Sequence, residues 1–330
     1  MRVAILVNHP FELKSSMSTA LFAWRLAGRG HAALLVPVHG LSWGAHAPSV
    51  RGFVLTASAA PEQALAQMRD SPAVVRELRP GDVLLLRTNP ARDPARAEIH
   101  RAALKLARLA AQHGVIVLNH PDAIERVGNK LYLLELPASS RPRQVISAEV
   151  EELVAFAESE SGPVVLKPLW GTRGDGVVKV DVAVSGMPAL LAAAEELLAS
   201  GPVVAQEYLN EAPEGDTRLL VLDGEVIEVG GRRAVVRRVP VPGEFRSNVH
   251  LGGTAHPGLW TPQLAALCSL IRPCLQEAGV FLAGVDVVGN KVVEVNAYAP
   301  GGFANAEEFE GADFIGAVLD AVEERVARSG

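Results

Sequence analysis

Cysteine, lysine and aromatic residues are scarce in this chain. Only Cys268 and Cys274 occur among 330 residues, which excludes a disulfide framework or a zinc cluster and suits a reducing, cytoplasmic setting. They lie six apart on a predicted helix, hence on different faces. There is no basic excess: 31 Lys plus Arg stand against 37 Asp plus Glu, a formal charge of −6. A protein that neutralises nucleic-acid phosphates over a broad face is therefore not expected. No apolar run approaches the roughly 18 residues that cross a bilayer. The apolar stretch in MRVAILVNHP is too short for a leader and reads as a first strand. The nine histidines show neither HExxH nor triad-like spacing. Both GxxxxGK[ST] and GxGxxG are missing, which removes a P-loop and disfavours a conventional dehydrogenase. With 49% hydrophobic and 21% charged residues the chain is a folded protein of two or three domains.

Periodicity divides it. Strands are predicted at Arg2–Val7, His31–Val38, Asp82–Arg87 and Gly114–Leu118, and helices at Ser18–Ala27 and Ala95–Gln112. Such alternation implies a parallel sheet with right-handed crossovers. Residues 41–79 give no clear pattern. The middle third offers a strand at Pro163–Lys167, a glycine-rich turn, a strand at Val177–Val180 and a helix at Pro188–Leu198. The last third changes to hairpins. Thr217–Leu222 and Glu225–Val229 flank Asp223-Gly224, and Ala283–Val288 and Val292–Asn296 flank Gly289-Asn290-Lys291. Between them a helix is predicted at Pro262–Leu275, with Pro273 bending or ending it early.

The second hairpin carries the most chemistry. A three-residue turn at Gly289–Lys291 would pair Val287 with Val293 and Val285 with Val295 on an apolar face. That register sets Asp286 opposite Glu294 and puts Asn296 beside them. Opposed carboxylates repel, and a divalent cation held by hard oxygens would remove the penalty. A solvated polar face is the plainer alternative.

The segment VVLKPLWGTRGDGVVKV runs from Val164 to Val180. Gly171, Gly174 and Gly176 let backbone N–H groups approach an anion, or else form a simple flexible loop. Lys167 ends an apolar strand, where an inward ammonium needs an anionic partner. Only six lysines occur, Lys130 and Lys167 among them, with arginine used elsewhere. In VVAQEYLNEAPEGDTRLLVL, extended backbone at Glu207–Leu209 suits an adenine edge, Asp216 ribose hydroxyls and Arg218 a phosphate. Taken singly, each is as well explained as an ordinary surface residue.

In order and spacing these segments resemble the ATP-grasp superfamily, in its prokaryotic glutathione synthetase branch. VLKPLWGTRGDGV is similar to that family's phosphate loop, QEYL to its adenine hinge, GDTRLLVLDGEV to its next strand pair and GVDVVGNKVVEVNAYAPGG to its metal hairpin. SSMSTALFAWRLAGRGH, LLLRTNPARD and IVLNHPDAIERVGNK resemble its N-terminal elements. The resemblance implies an α/β and α+β chain: an N-terminal parallel-sheet (pre-ATP-grasp) domain over 1–120, then a two-lobed ATP-grasp fold with antiparallel sheets. Its central/lid part spans 121–205, and its C-terminal part with the metal hairpin 206–330. It further implies that Lys130 and Lys167 contact ATP, under a loop carrying Gly171, Gly174 and Gly176. Gln206, Glu207, Tyr208 and Leu209 would hold adenine and Asp216 the ribose. Asp286, Glu294 and Asn296 would bind Mg²⁺, with Mn²⁺ as the alternative. Arg238, Arg246 and Asn248 would lie in a second loop over the acyl intermediate, with Arg218 at the γ-phosphate. The implied activity is an ADP-forming carboxylate–amine ligase working through an acylphosphate. Its partners would be small-molecule carboxylates and amines, with no nucleic acid or membrane, in a homo-oligomer. A ligase of the same branch with other substrates, or a non-catalytic ATP-binding regulator, are the alternatives. Two departures bear on substrate identity. Ala299-Pro300-Gly301-Gly302-Phe303-Ala304-Asn305 replaces the family's Ser-Pro-Thr and Arg-Glu run, and Ser15, Ser16 and Arg87 keep the substrate-side pattern loosely.

Overall fold

The computed structural model describes residues 1–171, 174–247 and 252–329; Asn248 lies outside them. Three sheets follow one another along the chain. The first has Arg2–Val7 at its centre, paired in parallel with Ala32–Pro37 on one side and Val83–Leu86 on the other, with Ile116–Leu118 beyond. Near-continuous burial of RVAILV and VLLL is what a parallel strand covered on both faces requires. The expected parallel sheet is extended on one side by antiparallel strands. The unpatterned region 41–79 holds Leu41–Trp43, Pro48–Leu55, a helix at Pro61–Arg69 and Val74–Glu77. Their half-exposed, mixed sequences hide the period that longer buried strands display.

Chain order reverses on either side of Arg2–Val7, and ligand crevices form beyond the carboxyl ends of strands at such a point. Asn8 and Asn89, each just past one of the two strands, close on each other. Asn8 Nδ2 donates to the Asn89 carbonyl and the Asn89 amide donates to Asn8 Oδ1, both at 2.8 Å. This fixes the start of the 89–92 loop.

The second sheet, in order Val178–Val180, Val164–Pro168, Val203–Glu207 and Gln144–Ser147, is antiparallel. Helices Val150–Ser159 and Met187–Leu198 cover one face around Leu153, Leu166, Leu190 and Val203. The third sheet runs Thr254–Pro257, Val235–Val239, Asp216–Leu222, Leu282–Val288, Lys291–Asn296. Helix Pro262–Glu277 lies on it through Leu264, Leu267, Ile271 and Leu275. Pro273 sits inside that helix and does not end it. It falls in the closing turns, where few hydrogen bonds remain to lose and the buried stripe continues to Leu275.

The third sheet is joined to the first through a shared core that includes Phe22, Leu220, Phe281, Phe303 and Phe314. Asn119, just past Ile116–Leu118, adds a buried polar staple. Its Nδ2 donates to the carbonyls of Leu282 (2.8 Å) and Ala297 (2.6 Å), and its Oδ1 accepts from the Leu282 amide at 2.7 Å.

The metal-like hairpin keeps its expected pairing at Asp286–Glu294 and Val285–Val295, but not its expected turn. Val288 pairs with Lys291 and Val287 with Val292, leaving two residues, Gly289 and Asn290, in the turn. A bulge between Asp286 and Val287 then absorbs Val293 as the extra residue. A two-residue turn plus a bulge has the same residue count as the three-residue turn, so both acids still share a face.

Candidate active site

Two cavities lie between the sheets and meet at Lys130, Gly171, Arg238 and Glu294, which line both. The smaller, about 140 Å³, is a slot between the second and third sheets. Its aliphatic walls are Val165 and Val177 on the side of the second sheet, Val288 and Val293 on the side of the third, and Leu209 from the connection between them. The larger, about 510 Å³, opens toward the first sheet and is lined by Asn89–Arg92, Trp170, Arg218, Asn296, Tyr298 and the 299–302 turn.

Lys167 reaches the slot from strand Val164–Pro168 and is buried. Its Nζ donates to Gln206 Oε1 at 2.6 Å, a neutral acceptor. Lys130 Nζ donates only to carbonyls, Pro168 at 2.8 Å and Leu169 at 3.4 Å. Among the described residues neither ammonium has a carboxylate within ion-pair distance. Burial, helped by the nearby Lys130 and opposed by Glu294, pushes Lys167 down to about 7. Burial lowers Lys130 too, against the pull of Glu294. Two under-compensated cations, one buried in the slot and one partly buried where the slot meets the larger cavity, form a place for an anion.

The acids are arranged differently from each other. Asp286 is 2% exposed and already neutralised. Arg218 Nε and Nη2 donate to its two oxygens at 2.7 Å each, and Arg238 Nη2 approaches Oδ2 at 2.9 Å. Burial raises this carboxyl, but the two guanidiniums outweigh it and hold it at about 2. The repulsion inferred from the sequence is thus relieved within the protein. Asn296 Nδ2 donates to Asp286 Oδ2 at 3.3 Å, and Glu294 faces both cavities. Asp286 and Glu294 pair across the hairpin with the Asn296 amide beside Asp286, and carboxylate and amide oxygens are hard ligands that suit a divalent cation completed by phosphate oxygens. Among the described residues no cluster of three His, Cys, Asp or Glu could hold a metal unaided.

Asp216, expected at a ribose, lines the slot with both carboxylate oxygens taken by protein donors. Arg238 Nε and Nη2 donate to its two oxygens at 2.7 and 2.5 Å, and the Ser247 hydroxyl donates to one of them. Gly215 makes this approach possible, since a Cβ there would collide with the Arg238 carbonyl and its φ is +104°. Asp216 positions Arg238, whose guanidinium is raised by Asp286 and Asp216 against the lowering effect of burial. Glu207 likewise turns away: its carboxylate takes the Arg143 amide at 2.8 Å and the Arg143 guanidinium at 2.6 Å, and only its backbone belongs to the hinge. Gln206, Tyr208 and Leu209 do line the slot, as do Gly174 and Arg246, while Gly176 does not. Arg87, loosely expected on the substrate side, lies beneath the 299–302 turn and donates to the Pro300 carbonyl at 2.9 Å.

Several lining residues were not anticipated. Phe245 and Ser247 come from the 241–247 segment, and Trp170, Tyr298 and the 89–92 loop wall the larger cavity. Phe245 had a signal: it is the sole aromatic residue between Tyr208 and Trp260.

The family model for the prokaryotic glutathione synthetase N-terminal domain matches residues 1–125, and that for its ATP-grasp domain matches residues 129–311. A glutathione synthetase of Parasynechococcus marenigrum is 36% identical over 68% of this chain and 69% of its own length. One of Brucella melitensis is 32% identical over 76% of each. Among solved structures, D-cycloserine synthetase DcsG superposes with a TM-score of 0.65 at 17% identity, covering 98% of this chain and 99% of its own. The ATP-grasp ligase PsnB, complexed with a minimal precursor, gives 0.62 at 20% identity over 97% and 98%. The folds agree over nearly the whole length, and the two family models together cover most of the chain. The chain therefore belongs to the prokaryotic glutathione synthetase family and is an ADP-forming ligase that joins a carboxylate to an amine with ATP.

Proposed function

We propose that the slot takes ATP, base inward between the aliphatic walls, with its triphosphate running past Lys167 and Lys130 to the junction. The observation that carries this is a pair of ammoniums with no carboxylate in ion-pair distance among the described residues: Lys167, buried in the slot, and Lys130, partly buried where the two cavities meet. The larger cavity then takes the carboxylate and the amine. Asp286, Glu294 and Asn296 would hold Mg²⁺, with Mn²⁺ as the alternative, and the ion would neutralise charge on the transferring phosphoryl group.

Phosphoryl transfer asks for positioning and charge neutralisation more than for a protein nucleophile. The substrate carboxylate attacks the γ-phosphorus, ADP departs and an acylphosphate forms. The amine then attacks its carbonyl carbon and inorganic phosphate leaves. Lys130 and Lys167 hold phosphate oxygens through this. Arg238 faces both cavities and is fixed by Asp216. Arg218 is fixed by Asp286 and lies on the larger side. An acylphosphate hydrolyses readily, so the 241–247 segment and the loop after Lys167 serve to exclude water. Arg246 ties the two together, donating from Nη1 to the Gly174 carbonyl at 3.3 Å.

Glutathione, named by the relatives, is the first product to test. A second reading, a different peptide carboxylate, is favoured by Gly301-Gly302, which line the cavity without side chains, and by Trp170, 59% exposed at its rim. Phosphate release from ATP, measured over a panel of carboxylates and amines, decides between them. Release and amide formation with γ-glutamylcysteine and glycine supports the first. Activity only with other pairs leaves the second, and no ATP-dependent amide with any pair refutes the assignment of the cavities.

A further inference from the structure

The slot has one wall that belongs to neither sheet. Segment 241–247 leaves strand Val235–Val239 and folds back so that Phe245 lines the slot. Its conformation is braced from within: Glu244 Oε1 accepts from the amides of Phe245 (2.9 Å) and Arg246 (3.1 Å), and Arg246 Nη2 donates to Glu244 Oε2 at 2.7 Å. It is also tied outward on both sides, by Arg246 to the Gly174 carbonyl and by the Ser247 hydroxyl to Asp216. A phenyl ring carried on a turn so restrained is presented in a fixed attitude.

Tyr208 and Phe245 are the two aromatic rings that line the slot among the described residues. They meet edge to face, with centroids 6.0 Å apart and planes at 73°. Tyr208 already carries the Lys179 ammonium 3.8 Å above its ring. The other apolar lining groups are aliphatic, so Phe245 is the ring left to engage a flat π-system inserted between the valines.

We propose that Phe245 is a specificity-determining residue for the base of the nucleotide, and that the base, through this ring, holds the 241–247 segment closed. This rests on the reading that the slot takes ATP. Base-free polyphosphate would satisfy the two lysines and leave the Phe245 ring with Tyr208 as its only aromatic contact among the described residues. A filled slot would hold Phe245, and with it the adjoining Arg246 and Ser247 ties that close the roof.

The test uses the full chain and four proteins: wild type, Phe245→Ala, Phe245→Leu and Phe245→Tyr. ATP and inorganic tripolyphosphate, each with Mg²⁺, are titrated calorimetrically, and tryptic cleavage after Arg246 is followed by mass spectrometry. The expected result is that Phe245→Ala weakens ATP by about three- to tenfold, the worth of one aromatic contact, and leaves tripolyphosphate unchanged. Phe245→Tyr keeps the wild-type ratio and Phe245→Leu falls between. ATP slows cleavage after Arg246 in wild type more than tripolyphosphate does, and that difference disappears in Phe245→Ala. An unchanged ATP-to-tripolyphosphate ratio in Phe245→Ala, or equal weakening of both ligands, overturns the inference while leaving the nucleotide assignment standing. Failure of wild type to bind ATP overturns both.

Discussion

Nucleotide binding should carry a proton onto Lys167. Burial holds this ammonium at about 7 in the ligand-free protein, against roughly 10.4 for a solvated lysine. Between those values the unfolded chain binds the extra proton, so stability should rise with pH across that window. Binding has the opposite sign, because a triphosphate beside Nζ favours the charged form. At pH 8 about nine-tenths of the free protein has Lys167 neutral, so each nucleotide bound should take up roughly 0.9 proton if the anion restores an ordinary value. Affinity should then fall with rising pH above 7, approaching about tenfold per unit. Titration calorimetry at pH 8 in phosphate and in Tris, whose ionisation heats differ widely, reads the proton number from the difference in apparent enthalpy. Lys167→Met should abolish the uptake and weaken ATP about tenfold to a hundredfold, the worth of a charge-assisted hydrogen bond. No proton uptake in wild type, or equal uptake in Lys167→Met, refutes the reasoning.

Glu294→Gln keeps the shape of a side chain that faces both cavities and removes a negative charge. Turnover should drop at least about a hundredfold, Mn²⁺ binding in the presence of ATP should weaken by electron paramagnetic resonance, and the melting temperature should hold. Near-normal turnover would remove the cation assignment. Asn119→Ala should destabilise the fold by roughly 2–3 kcal/mol, since it strands a buried amide and two carbonyls. Urea unfolding checks this, and a loss below about 0.5 kcal/mol would mean that water replaces the side chain.

The features that could be read from the chain alone were those written in local pattern. Alternating valines around Gly289 selected the face that unites Asp286 with Glu294, and the rarity of lysine drew attention to Lys130 and Lys167. The bulge stayed hidden because a displaced extra residue preserves the count that patterning measures. Asp286, Arg218 and Arg238 could each be picked out, but not their mutual pairing. They sit on strands far apart in sequence, and only the register of Asp216–Leu222 against Leu282–Val288 sets Arg218 opposite Asp286. The partners of Asp216 were hidden for the same reason: nothing near it in sequence shows that Arg238 and Ser247 occupy its oxygens. The turn that brings Phe245 to the slot depends on Glu244 capping two amides, a three-dimensional fact with only a lone aromatic to signal it.

Asp286 arrives at its task with two counter-ions of its own. Because Arg218 and Arg238 already balance it, the apoprotein carries no electrostatic debt that a metal must settle before folding. A divalent ion held by Asp286 would compete with those guanidinium hydrogen bonds, and any N–H groups so freed would be available to the anions that accompany it. Loading would in this sense be a transfer of partners, with Arg218 and Arg238 turning from a carboxylate to phosphate or substrate oxygen.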